Sequence, residues 1–408
     1  MTILFYIIFA ISILVFLLRR RALDFFTFLF VVTVYYCIPL FTGILYDPNS
    51  HEIISISPLA YFFYAIYFLT LLGFALLTDF SSHLVIPSRH TKFYYRSYAN
   101  ILFYLSSFFF IVVLMQNPKF MIPSDLDNDL TSLGFSYTLF VFSSILLLLF
   151  SCLSDSRLLT TISSFYILTT LSAGSRAYFS HALVCVFFYI GSKSKSFSFI
   201  EKPRFLIVGL FSFIFLFFFK IAYPFLLALD FPSLFKALTN FEEISQRSFQ
   251  WSENFAVMLN LNYSLVNLSP DINFQYFPTF IVSSLPLISD FVGDTFGLDV
   301  YSYSSILKTS VYQNVSYGMA SSHYGQLFYL LGQTAFVAPF LFFSLVFVLN
   351  KLTMSLRRDY LFLVPFLSAT VVSYLRVEFS GLLYFFSAYI FLYLLVRLFH
   401  HVFLESNL

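Results

Sequence analysis

Arg176, Arg247, Arg376, His323 and Glu378 stand beside long apolar runs, in a chain where ionisable side chains are scarce. Arg176 lies in "LSAGSRAYFSHALV" (Leu171–Val184), where Gly174 and Ser175 suit the end of one helix and the N-cap of the next. A guanidinium presents a rigid fork of donors matched to phosphate oxygens. The start of the following helix adds its dipole, so this turn has the chemistry of an anion site. In "FEEISQRSFQWSENF" (Phe241–Phe255), Arg247 offers a second phosphate clamp, and the sole tryptophan, Trp251, offers a stacking platform for a sugar, with Glu253 beside it. His323, in "MASSHYGQLFYLLGQTAF" (Met319–Phe336), belongs to the residue type that titrates near neutrality and serves as a general acid or base. "SYLRVEFSG" (Ser373–Gly381) puts Arg376 and Glu378 in one tight turn, and an ionisable pair at a membrane edge is a functional candidate by default. Each has a plain structural alternative: a snorkelling arginine, a solvated helix with weak ion pairs, a capping histidine, a structural ion pair.

The elements that must hold these residues are apolar helices. Hydrophobic residues make up 59% of the 408 residues and charged ones only 10%, with 61 phenylalanines. Soluble domains carry about 25% charged residues, so the composition is that of a membrane protein. A net charge of +2 gives no reason to expect a nucleic-acid partner. At roughly 20 apolar residues per crossing, about eleven spans are expected. They fall near 2–18, 25–45, 58–78, 99–116, 132–152, 158–172, 177–191, 205–223, 325–350, 360–375 and 382–398. The first, "MTILFYIIFAISILVFLLRRR", has no basic residue before its apolar run and no cleavage site after it, so it reads as a spanning helix.

Alternating the spans puts Arg19–Arg21, Arg89, Lys92, Arg96, Lys193, Lys195, Lys202, Arg204, Lys351, Arg357 and Arg358 on one side, cytoplasmic by the positive-inside rule. "SDLDNDL" (Ser124–Leu130) falls outside, and so does residues 223–322, a large loop that is too aromatic for a linker. Within the loop, Asn254–Leu268 and Phe277–Ile288 read as short helices lying at the membrane interface. The whole of 1–408 then forms a single integral membrane domain of all-α class.

Other signals are weaker. Cys37, Cys152 and Cys185 lie in apolar runs and indicate no disulfide framework. Asp125, Asp127 and Asp129 alternate without the glycine a calcium loop needs, since Leu130 follows. Asn262, Asn267 and Asn314 sit in triplets that mark glycosylation only in a eukaryotic cell. His181 reads as packed within its helix, and Lys220 lies inside the span 205–223. There is no zinc spacing, P-loop or serine-hydrolase elbow, and neither metal nor cofactor is expected.

Taken together, "SAGSRAYF", the large outer loop, "SSHYGQLFYLLGQ" with Gly325, Gln326 and Gly332, and "YLRVEFSG" resemble the bacterial O-antigen polymerases (Wzy-type repeat-unit polymerases), and more distantly the O-antigen ligases. The resemblance implies a class C-like glycosyltransferase in the bacterial inner membrane, active at its periplasmic face. Its substrates would be oligosaccharide units on undecaprenyl diphosphate, the growing chain passing to the nonreducing sugar of the next unit. Membrane lipids, a chain-length regulator and a flippase of the same pathway are the implied partners.

On that expectation Arg176, Arg247 and Arg376 hold the diphosphate, and Trp251, Glu253 and Gln326 meet sugar. His323 or Glu378 takes the acceptor proton, the ligase likeness favouring His323. A flippase or other transporter, and a ligase onto lipid A core, are the competing readings. No internal repeat supports transport. Against a cysteine-free background, Ser194→Cys should be shielded from a membrane-impermeant thiol reagent applied outside, whereas Ser124→Cys should be labelled. The reverse pattern would invert the topology.

Overall fold

A computed structural model describes residues 1–19, 24–46, 52–81, 89–118, 120, 130–172, 176–192, 228–240, 253–266, 322–355, 357–375 and 379–402, with isolated positions between 207 and 303. These residues are helical almost throughout. Five helices among them are long and apolar enough to cross a membrane: Pro58–Asp79, Tyr94–Gln116, Gly134–Leu153, His323–Met354 and Gly381–His400. The chain is a membrane protein.

In chain order, α1 spans Thr2–Ile13 and runs into a π-helical turn, Leu14–Leu18, and α2 spans Phe25–Tyr36. Then come α3 (Ile38–Thr42), β1 (Ile44–Tyr46), β2 (Ile53–Ser55), α4 (Pro58–Ser81) and α5 (Arg89–Gln116). The middle of the chain holds α6 (Leu130–Leu153), α7 (Arg157–Ser172), α8 (Arg176–Ser192), α9 (Phe231–Thr239) and α10 (Glu253–Val266). The C-terminal part holds α11 (His323–Leu331), a 3₁₀ segment (Gly332–Val337), α12 (Ala338–Met354), α13 (Arg358–Leu361), α14 (Leu363–Ser373) and α15 (Phe379–His400).

Two of the expected spans are interrupted. The span expected over 25–45 stops at Tyr36, because Pro39 cannot continue the backbone ladder. Beyond α3 the chain forms a short two-stranded antiparallel hairpin, Ile44 opposite Ser55 and Tyr46 opposite Ile53, within an otherwise all-α membrane protein. The span expected over 325–350 divides at Gly332, whose φ of 54° is left-handed and favours glycine, and α12 restarts with Pro339 in its first turn. The span expected over 205–223, with Lys220, lies largely outside the described residues.

Contacts between helix ends group the described helices at two ends of the bundle. At one end, the Phe25 N–H donates to Asn350 Oδ1 at 3.5 Å, Arg397 pairs with Asp359 at 3.4 Å, and the His400 ring stacks on Tyr98. At the other, Ser136 Oγ donates to Gln116 Oε1 at 2.6 Å, joining the start of α6 to the end of α5.

The largest departure from expectation is α10. The stretch Asn254–Leu268 does form a helix, but that helix packs against α2, α3, β1, α4 and α11 rather than lying on a membrane surface. Phe255, Val257, Met258, Leu259, Leu261 and Leu265 are all buried, together with Asn254, Asn260, Asn262 and Ser264. A helix apolar on nearly every side belongs inside a bundle.

Its asparagines repair the breaks in other elements. Pro39 has no N–H to offer the Tyr35 carbonyl four residues back, and Asn254 Nδ2 donates to that carbonyl at 3.3 Å. The Ser57 N–H, an orphan at the start of α4, donates to Asn262 Oδ1 at 2.7 Å. Asn262 is 5% exposed with its amide so engaged, which leaves no room for a glycan. Phe277–Ile288 lies mostly outside the described residues. Asn262→Ala should strand the Ser57 N–H and cost about 1–3 kcal/mol. That cost would appear as an earlier thermal unfolding transition in detergent, and an unchanged transition would mean that water replaces the amide.

Candidate functional site

The site grows from the junction of α10, α11 and α14. Ser322 caps α11, its hydroxyl accepting from the Gly325 N–H at 3.1 Å. That cap sets His323 at the first position of the helix and turns it inward. Gly325 is required by close approach, since a Cβ there would stand 3.1 Å from Ser322 Cβ, 3.2 Å from Tyr303 Oη and 3.3 Å from Ser264 Oγ. Ser264 and Tyr303 share a short hydrogen bond at that contact, which ties Tyr303 to α10 beside the start of α11.

His323 is 4% exposed and sits in an aromatic cage. Its ring centroid lies 4.6 Å from that of Tyr374 and 5.6 Å from that of Tyr324. The Tyr374 hydroxyl donates to the Tyr324 hydroxyl, and Phe342 stacks on Tyr374. Tyr324 meets Tyr67 edge to face at 5.8 Å, and Tyr67 Oη lies 3.1 Å from Thr33 Oγ1. Tyrosines suit this place because each fills apolar space while its hydroxyl finds a partner.

One step away, α8 packs on α14 and meets α15 through a ring contact. His181, fully buried, has Nε2 hydrogen-bonded to Ser373 Oγ at 3.3 Å, and its ring meets Phe385 of α15 edge-on at 6.2 Å. Ser373 directly precedes Tyr374, which covers His323. These contacts thus link the second turn of α8, the helix that Arg176 begins, to the histidine of α11.

The residues singled out in the sequence differ in where the structure places them. Arg176 and Glu253 are the first residues of α8 and α10, and only their backbone is described. Arg247, Trp251, Arg376 and Glu378 lie outside the described residues. His323 is in the core rather than at an open interface, and Gln326, expected to meet sugar, is 0% exposed. Both are buried because α11 packs between α10 and α4 instead of facing solvent: Ser264 of α10 approaches Gly325, and Phe63 of α4 meets Tyr324 and Phe328. His181 is packed within its helix, as its apolar neighbours imply.

Sequence reasoning missed Tyr324, Tyr374 and Ser373 as partners of histidines, because nothing in their spacing separates them from the many other aromatic and small residues. No metal-binding group of three or more His, Cys, Asp or Glu occurs among the described residues. An apolar groove lies between α7 and α8, lined by Ile167, Leu168, Phe179, Ala182 and Leu183.

No family model, no curated protein and no solved structure matches this chain.

Diethyl pyrocarbonate should modify His323 slowly in the wild type and much faster in Tyr374→Ala, read peptide by peptide by mass spectrometry. Equal rates would show that Tyr374 is not what covers the ring.

Proposed function

We propose that the protein is a membrane glycosyltransferase of the O-antigen polymerase type, with about eleven spans and a class C-like architecture, acting at the periplasmic face of a bacterial inner membrane. It would join oligosaccharide units carried on undecaprenyl diphosphate into a surface polysaccharide, O-antigen or a related one. The observation that supports this most is the His181–Ser373 contact at 3.3 Å. It seats the helix begun by Arg176 beside the end of α14, three residues before Arg376 in the chain, while the adjoining Tyr374 packs on His323.

The reaction needs little else. An acceptor hydroxyl oxygen bonds to the donor's anomeric carbon as the bond from that carbon to the diphosphate oxygen breaks. The lipid diphosphate leaves with the electron pair, and the acceptor proton passes to a base. The protein must supply positive charge for the leaving group, which Arg176, Arg247 and Arg376 would provide in a partly dehydrated site. His323 or Glu378 would take the proton. Because Tyr374 covers His323, abstraction by the imidazole requires that phenol to swing aside. Trp251 and Glu253 remain the proposed sugar contacts.

Purified protein given lipid-diphosphate-linked repeat units should produce a ladder of chain lengths on a gel. Arg176→Ala should slow the ladder about 100- to 1000-fold, the usual loss when one stabilising donor is removed. A ladder that survives the substitution sinks the role of Arg176. No ladder from folded wild-type protein sinks the polymerase and returns the ligase and transporter.

A further inference from the structure

The proposed reaction gives α9 (Phe231–Thr239) no part, yet this helix carries its large apolar side chains outward. Phe231 and Phe235, one turn apart on one face, are 60% and 71% exposed, and Leu229 just before them is 74% exposed. Ala237 is buried, so the opposite side of the helix rests on protein. Lys236 is exposed to the side of the apolar face. An amphipathic helix of nine residues is too short to hold its shape alone in water, and it needs a surface for its apolar side.

The chain indicates which surface that is. Ile207, Phe211 and Phe218, in the span expected over 205–223, are helical and exposed, as the lipid-facing residues of a membrane protein are. Phe225 is helical too, and the Asp230 N–H donates to its carbonyl at 2.9 Å, closing a tight turn. Leu229 takes a φ of 53° in that turn, a left-handed conformation costly for leucine. α9 therefore follows at once on the span expected there. Its start is also prepared for a place with little water. The Ser233 N–H donates to Asp230 Oδ1 at 3.1 Å, the Leu234 N–H donates to the Asp230 carbonyl at 3.0 Å, and Pro232 has no N–H to satisfy. The Thr239 hydroxyl, next along the exposed face, is engaged in the same way, donating to the Phe235 carbonyl at 2.8 Å.

We infer that α9 is an interfacial anchor: Leu229, Phe231 and Phe235 enter the boundary between phospholipid headgroups and acyl chains, and Lys236 reaches a headgroup phosphate. The partner is the phospholipid of the bilayer that the chain spans. The place expected for Asn254–Leu268, which the fold buries, falls to this helix instead. The inference is independent of the polymerase reading, since it needs only a chain that crosses a membrane.

The test uses full-length protein in nanodiscs of phosphatidylethanolamine and phosphatidylglycerol. One nitroxide at a time is placed on a cysteine-free background at Phe231→Cys, Phe235→Cys or Lys236→Cys. Collision with oxygen, which concentrates among acyl chains, is compared with collision with a water-soluble nickel chelate. The labels replacing Phe231 and Phe235 should favour oxygen, at a depth of about 5–10 Å, and the label replacing Lys236 should favour nickel. Nickel access at all three positions would leave the helix in water and overturn the inference. Shielding of the first two from both reagents would overturn it as well, by showing that protein covers the face. Replacing both phenylalanines together, Phe231→Ser with Phe235→Ser, should speed amide hydrogen exchange across 228–240 by about 10-fold or more while α4 and α6 keep their rates. An unchanged rate across 228–240 would mean that protein contacts alone hold the helix, against the inference.

Discussion

Every backbone group buried in this bundle must find a partner, because a hydrocarbon environment offers no water to supply one. The helices meet that demand internally until α2 ends before Pro39 and α4 begins just after Ser57. There α10 enters, with Asn254 on the Tyr35 carbonyl and Asn262 on the Ser57 N–H. A helix apolar enough to float at an interface is thereby fixed inside the protein. Its other face then meets Gly325, so the same insertion positions α11 and the histidine that starts it. Two amide side chains thus bear on where the candidate base lies.

Around His323 the protein has built a tyrosine core rather than a purely aliphatic one. Tyr67, Tyr324 and Tyr374 fill space as phenylalanine would, but their hydroxyls pair with one another and with Thr33. The imidazole at the core's centre meets the rings of Tyr374 and Tyr324. The core also closes the imidazole off. In the proposed reaction, an imidazole under a phenol would stay idle until the phenol moves, which would keep the donor from hydrolysis.

The three helix ends near this core carry different parts of the proposed chemistry. α8 brings Arg176 with a helix start behind it, α11 brings His323, and the α14 end leads into the segment with Arg376 and Glu378. Convergence of helix ends on one side of a bundle fits a reaction at a membrane surface better than passage through the bilayer, where ionisable groups gather near the midplane.

The sequence by itself determined that this is a helical membrane protein. Apolar length is a one-dimensional property, so α4, α5, α6, α7, α8 and α15 are legible from runs of Leu, Phe and Ile alone. Pro39 and Gly332 are visible too, but hydropathy does not register them and runs the spans through them unbroken. Only the tertiary structure decided where α10 goes, because Asn254–Leu268 is apolar enough for an interface and for a core. The choice was made by two backbone groups distant in the chain, at Tyr35 and Ser57. His323 and Gln326 are legible as unusual residues, but their burial is not, since it depends on the neighbours that α10 and α4 bring to α11. His181 reads as ordinary filling because its partners, Ser373 and Phe385, lie about two hundred residues away. Contacts of that range are set by packing, and no local pattern announces them.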